Sequence, residues 1–253
     1  MNQFSVALFE QDLNGDVLCV WTYPAFDQNK QAVVMKGIGD GLSTFYTKVG
    51  TEFVYSATTK IEEDPVVKEA TIAIGSKVFD PEFFSDVLEA LLNRYKENQG
   101  DPTKLLEAYL TLITTLKLDD IKFPENHDGA VERVSILGKL LVDLPTEWVI
   151  CYNAMLLKKR VLVLGEEGQM QILLNAVRTL PQLAHRRDMS IIHPLLLIAQ
   201  QAQELQTQGV WVAGTMDHSL QHQVDFDVCL SLSENRVTIN ADRVKELKMC
   251  RYV

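Results

Sequence analysis

Residues 155–165, MLLKKRVLVLG, constrain the fold of this chain more than any other stretch. An apolar helix end runs into three consecutive cations and then into four apolar residues with no polar alternation. A strand of that kind, Val161 to Leu164, has no wet face and is buried on both sides, as in a parallel sheet. Lys158, Lys159 and Arg160 mark where it arrives from solvent. The first hundred residues are written differently, as alternating hairpins. Two styles of sheet in 253 residues imply two lobes.

The N-terminal lobe has period two. Ser5 to Glu10 and Val17 to Tyr23 flank Leu13-Asn14-Gly15-Asp16, and Asn-Gly between β-rich runs predicts a hairpin with positive φ at both residues. In the second strand Val17, Cys19, Trp21 and Tyr23 fall on one face. Leu18 and Val20 fall on the other, so both faces are expected to be covered for part of its length. Pro24 ends the strand for want of an amide hydrogen. Lys30 to Met35 reads as a short helix fading into Gly37, Gly39 and Gly41. Ser43 to Lys48 and Glu52 to Thr59 form a second hairpin around Gly50, and Ala70 to Ser76 a fifth strand. Glu62 to Pro65 is an exposed acidic turn. Asp80-Pro81 and Asp101-Pro102 each supply an N-cap and a first-turn proline. Phe84, Val87, Leu88, Leu91 and Tyr95 follow the first at helical spacing. Leu105, Leu106, Tyr109, Leu112, Ile113 and Leu116 follow the second. The sum is an antiparallel meander with helix against one face, an α+β lobe over residues 1–116.

Residues 117–130 carry Pro124, Asn126-His127 and Gly129 with little apolar periodicity, and read as a linker or mobile loop. The second lobe spans residues 131–253. Val131 to Leu141 is amphipathic. Pro145 opens a helix through Trp148, Tyr152 and Met155 that is apolar on most sides and is expected to be central. After the strand at 161–164, Glu166-Glu167 suits the positive end of a helix whose stripe is Met170, Leu173, Leu174, Val177 and Leu180. Pro181 is expected to stop it. Met189 to Ile192 is a strand closed by His193-Pro194. Ala199 to Gln208 is a helix and Val210 to Gly214 a buried strand. Phe226 to Leu232 and Val237 to Asn240 form a hairpin, and Asp242 starts a last helix. Alternating strands and helices predict an α/β lobe with a largely parallel sheet.

Motifs for bond-making chemistry are missing. Gly37-Ile38-Gly39-Asp40-Gly41 lacks the third glycine of a dinucleotide loop, and no GK[ST] follows, so it reads as a turn. His218 and His222 have the i, i+4 spacing of zinc ligands without a third ligand at a recognised distance, and read as solvated histidines in a loop. His193 and His185 have no nucleophile partner. Asp119-Asp120 and the pair Asp225 and Asp227 are read as loop and solvent-face acids. No cofactor, metal or catalytic residue is expected. An enzyme with a covalent or metal mechanism is disfavoured, and a small-molecule enzyme would need a deep pocket with converging titratable groups.

The formal net charge is −10, which repels nucleic-acid phosphates and anionic lipid unless a local patch reverses the sign. Such a patch is offered by Lys158, Lys159, Arg160, Arg178, Arg186 and Arg187, with His185 beside them. A basic ridge of this kind is a contact for an acidic partner or a phosphoinositide; the plainer reading is solvated helix ends where cations are favoured. Four cysteines, Cys19, Cys151, Cys229 and Cys250, lie far apart without CxxC spacing and read as reduced core thiols of a cytosolic protein. No apolar run reaches the length of a membrane span, so any organelle association is expected to come through partners. The junction between the two lobes is expected to form a groove that binds a protein or a ligand.

Several segments resemble one family. Residues 14–24, NGDVLCVWTYP, are similar to the opening hairpin of DENN-domain proteins, whose second strand ends in W-x-Y-P. Residues 155–163, MLLKKRVLV, resemble the family's central strand. Arg178-Thr179-Leu180-Pro181, His185-Arg186, Ile191-Ile192-His193, residues 209–214 (GVWVAG) and Asp225 to Leu230 follow in the family's order along almost the whole chain. The resemblance implies an N-terminal longin-like lobe (uDENN) followed by an α/β cDENN lobe, with the helical third part (dDENN) largely absent by Val253. It also implies binding of a Rab-family small GTPase and guanine nucleotide exchange, with part of the family linked to late endosomes and to the Commander/retriever recycling assembly. An exchange factor needs no nucleophile or metal. It binds the nucleotide-free GTPase more tightly than the loaded form. A non-catalytic scaffold subunit of that assembly is the alternative role.

Overall fold

A computed structural model of the chain describes residues 4–61, 65–115, 117–118, 121–122, 145–184 and 189–240. The chain divides into two compact units, Met1–His127 and Asp128–Val253. It is an α+β molecule with two five-stranded sheets, the first antiparallel and the second mixed around a parallel core.

The first sheet has strands β1 (Ser5–Asp12), β2 (Val17–Tyr23), β3 (Thr44–Val49), β4 (Glu52–Lys60) and β5 (Val67–Ser76). Its order is β2-β1-β5-β4-β3, so it is not the expected meander: β5 inserts between β1 and β4. The first and last strands of this sheet in chain order thus meet at its centre, Val6 opposite Ile74 and Leu8 opposite Ile72.

Helices cover both faces of this sheet, not one. Helix α1 (Gln28–Gly39) is longer than its glycines predict. Asp27 caps it, accepting from the Lys30 amide at 3.0 Å. It packs Val34 and Ile38 with Phe26 against Ala7, Phe9, Val54 and Ala73. Gly37 permits the approach, since a Cβ there would lie 2.4 Å from the Phe45 ring. On the other face lie α2 (Pro81–Glu97) and α3 (Pro102–Thr115). Asp80 caps α2 through the Phe83 amide, as its Asp-Pro sequence predicts. Phe4 meets Phe84 and Tyr109 edge-on, and the Tyr109 hydroxyl donates to the Phe4 carbonyl at 2.8 Å.

The hairpin β1–β2 forms where the sequence predicts, with a different turn. Gly15 alone takes positive φ (+93°), and Asn14 does not. The Asp12 carboxylate accepts from the amides of Asn14 and Asp16, which replaces the expected pair of left-handed residues. The two-face reading of β2 is also corrected. Leu8 pairs with Trp21 but Phe9 pairs with Cys19, so Val20 is an extra, bulged residue. The bulge reverses the face. Val17 and Cys19 join α1's cluster, whereas Tyr23 lies edge-on to Tyr109 of α3. Leu18 and Val20 stay exposed on an outer strand.

Within the stretch 117–130, β6 (Lys117–Leu118) and β7 (Ile121–Lys122) pair as a short antiparallel ladder. The remainder of that stretch lies outside the described residues. So do the amphipathic stretch Val131 to Leu141, residues 62–64 of the acidic turn, and the helix expected from Asp242.

The second unit holds α4 (Pro145–Leu156), β8 (Val161–Leu164), α5 (Met170–Leu183), β9 (Ile192–Leu196), α6 (Ala199–Gln206), β10 (Val212–Thr215), a one-turn α7 (His218–Gln221), β11 (Val228–Ser231) and β12 (Arg236–Ile239). The order is β12-β11-β8-β10-β9. β8 is central, parallel to both neighbours and buried throughout, as its unbroken apolar run predicts. Leu162 and Ala213 face a cluster with Ala202 and Leu205 of α6 and Leu220 of α7. Leu173 of α5 lies against Gly214 on the opposite face.

Prolines and histidines depart from expectation here. α5 runs through Pro181 to Leu183, because a proline in the last turn forfeits only one late hydrogen bond. Strand β9 begins at Ile192, after a 3-10 turn at Met189–Ile191, and carries His193-Pro194 inside it. As the outermost strand it tolerates Pro194. The segment around His218 and His222 forms the short helix α7, not a loop.

Candidate functional site

The six cations of the sequence-level ridge have different fates. Arg160 is consumed internally. Its backbone amide donates to Asp227 at 2.9 Å, and its guanidinium donates to both carboxylate oxygens of Asp227 at 3.2 Å. Its Nη1 donates to Asp225 at 2.6 Å. The Arg160 carbonyl accepts from the amides of Asp227 and Val228, which starts the parallel pairing of β8 with β11. Asp227 is thus a buried structural acid, not a solvent-face one. Burial by itself raises its pKa, but the hydrogen bonds from Arg160 outweigh that and hold the carboxyl below its ordinary value. Asp227 in turn raises the Arg160 pKa.

Arg178 is buried inside α5 at 5% exposure, so it too departs from the surface ridge. Arg186 and Arg187 lie outside the described residues, as does His185. Lys158 is exposed and Lys159 half-buried. The ridge therefore reduces, among the described residues, to two lysines at the end of α4.

Those lysines terminate α4 in an unusual way. The Lys159 amide donates to the Ala154 carbonyl and the Lys158 amide to Met155, the pattern of a left-handed helix end. Lys158 takes φ +56°, a conformation that favours glycine and costs a lysine about 1 kcal/mol.

α4 itself is not central on every side. Trp148, Cys151, Ala154 and Met155 are buried, whereas Val149 is 51% exposed, Tyr152 41% and Leu156 48%. The spacing 149, 152, 156 places these three on one helical face. Leu157 continues the exposed stripe to Lys158. The sequence conceals this surface because apolar residues occupy both faces of α4; only exposure separates them.

Other candidate chemistry is dispersed. His193 is buried in β9 and meets the Gln208 side chain at 3.1 Å. Cys151 and Cys229 are buried, Cys19 is partly so, and Cys250 lies outside the described residues. Burial pushes the Cys229 thiol up to about 12, which leaves it inert near neutrality. Gly37 and Gly39 belong to α1 and Gly41 to the turn after it. Among the described residues, no group of three His, Cys, Asp or Glu side chains is placed to hold a metal, and no helix is long and apolar enough to cross a membrane. A shallow depression of about 410 Å³ along α3 is lined by Leu106, Leu110 and four threonines, with Glu107 as its one titratable group.

Comparison with known proteins gives two results. A family model described as "Stabilization of polarity axis" (SPA) matches residues 136–241, within the second unit. DENN domain-containing protein 10 of Danio rerio is 29% identical over 262 residues, covering 97% of this chain and 74% of that protein. The protein of the same name from Dictyostelium discoideum is 25% identical over 268 residues, covering 94% and 72%. The Homo sapiens protein is 27% identical over 251 residues, covering 92% and 70%. The DENN resemblance read from short segments thus extends over nearly the whole chain, through both units.

Proposed function

We propose that this chain, similar from end to end to proteins named for a DENN domain, binds a Rab-family small GTPase and promotes nucleotide exchange on it. In this reading the first unit is a longin-like uDENN lobe and the second a cDENN lobe, and the work is done on late endosomes. The observation that carries the reading is the surface at the end of α4: an apolar stripe of Val149, Tyr152 and Leu156 that terminates in Lys158 and Lys159. Apolar anchors beside cations suit a protein partner with an apolar patch and acidic neighbours. The left-handed Lys158 supports it too, because a charged residue stands where glycine is the more stable choice.

Exchange requires only that the surface bind the nucleotide-free GTPase more tightly than the loaded one. A thousandfold preference corresponds to about 4 kcal/mol, within what a few apolar anchors supply. The test is release of a fluorescent guanine nucleotide from a panel of Rab proteins. Accelerated release from at least one Rab, lost in a Val149→Asp, Tyr152→Ala variant, is the expected result. No acceleration and no complex with any nucleotide-free Rab would sink the proposal.

A second reading, a scaffold subunit of the Commander/retriever assembly, is supported by a further exposed apolar surface on the first unit, at Leu13, Leu18 and Val20. A chain with two such surfaces can join two partners. A stable co-purifying assembly without accelerated release from any Rab would favour it.

A further inference from the structure

Strand β2 is an edge guarded by neither a charge nor a proline. The two five-stranded sheets have four edges, formed by β2, β3, β9 and β12. Three of these strands contain a residue that resists the addition of another strand: Lys48 in β3, Pro194 in β9 and Arg236 in β12. β2, Val17–Tyr23, contains no charge and no proline. Among the described residues it pairs with β1 alone. Leu18 is 67% exposed and Val20 40%, and Leu13 in the adjoining turn is 69% exposed. The bulge at Val20 bends the strand but neither charges it nor removes an amide. An edge of this composition is a template for strand addition.

The charges around β2 select the occupant. Asp16 immediately precedes the strand, is exposed, and makes no ion pair among the described residues. Asp12 lies beside it, joined by the Asp16 amide. The opposite end, Pro24-Ala25, is uncharged, and the whole chain carries −10. A second copy pairing antiparallel would set Asp16 beside that uncharged end, with no charge to match it, and would bring together two chains of net charge −10. A cationic partner meets opposite charge instead. Every pair in this sheet is antiparallel.

We infer that β2 accepts, as a sixth antiparallel strand, an extended segment of another protein with alternating apolar residues and a Lys or Arg at its C-terminal end, beside Asp16. The α4 stripe plays no part in this inference, which does not depend on the GTPase reading. The test pans a library of displayed 12-residue peptides on the wild-type protein, then measures synthetic copies of the selected peptides. Selected peptides alternate apolar residues, end in a cation, and slow hydrogen exchange of the β2 amides. They bind Leu18→Lys, Val20→Lys at least tenfold more weakly, and lose about tenfold with Asp16→Lys. Peptides that bind the double lysine variant equally, or leave β2 exchange unchanged in the wild type, overturn the inference. So does a library that yields no binder. Sedimentation showing a wild-type dimer that Leu18→Lys dissociates would assign the edge to a second copy instead.

Discussion

The backbone amide of Arg160 and its own guanidinium donate to one carboxylate, that of Asp227, which is 67 residues away in sequence and buried at 4% exposure. The pair fastens the start of β8 to the start of β11. A residue that looks like part of a cationic surface is therefore a fixed internal strut. Removing Asp227 leaves the part-buried guanidinium only the exposed Asp225, and breaking such a pair is costly.

Asp227→Ala should destabilise the protein by about 3 kcal/mol. Asp225→Ala should cost less than about 1 kcal/mol, because Asp225 is 65% exposed on the same guanidinium. Urea unfolding at pH 7 measures both. Equal losses would show that the two acids share the load.

The same pair predicts an acid response with a definite sign. The folded pKa of Asp227 lies below its ordinary value of 3.8, so its stabilisation is fully present above about pH 5 and is lost as pH falls through the folded value. The stability difference between the wild type and Asp227→Asn should be flat from pH 7 to pH 5 and shrink toward pH 3. A difference that grows on acidification would contradict the assignment.

Lys158 and Lys159 should be separable from Arg160. Reversing Lys158 to Glu should weaken the proposed Rab binding and leave the thermal midpoint near wild type; reversing Lys159 as well should lower the midpoint slightly, because Lys159 helps to hold the Asp227 carboxyl below its ordinary value. Adding Arg160→Glu should lower the midpoint sharply, since a carboxylate would face Asp227 across a part-buried contact. Lys158→Gly should stabilise by about 1 kcal/mol, because φ +56° suits glycine, while reducing affinity for the partner. Binding titrations and melting curves on these variants give the comparison.

Gly37 and Gly39 should respond in opposite directions to alanine. At Gly37 the new Cβ would press into the Phe45 ring, and a loss of about 2 kcal/mol is expected. At Gly39 nothing lies within 4 Å, and helix propensity should return about 0.5 kcal/mol. Chemical denaturation of the two single variants tests the packing of α1 on β3.

Some of this molecule is legible one segment at a time. Asp80-Pro81 announces α2, Asn14-Gly15 announces a hairpin, and the run Val161–Leu164 announces a strand with two covered faces. The α4 surface is hidden, because Val149, Tyr152 and Leu156 share a composition with the buried Trp148 and Met155. Arg160 looks like a surface cation, because the acids that claim it follow more than sixty residues later.

The sequence by itself determined where most elements begin and end and which style of sheet each half builds, since caps, turns and hydrophobic period act over a few residues. Tertiary structure decided what each exposed-looking residue does. The bulge at Val20 exists only against β1, Pro194 is harmless only at a sheet edge, and Arg178 is covered only once α5 is packed. Those outcomes depend on neighbours brought together by chain closure, and no local pattern encodes them.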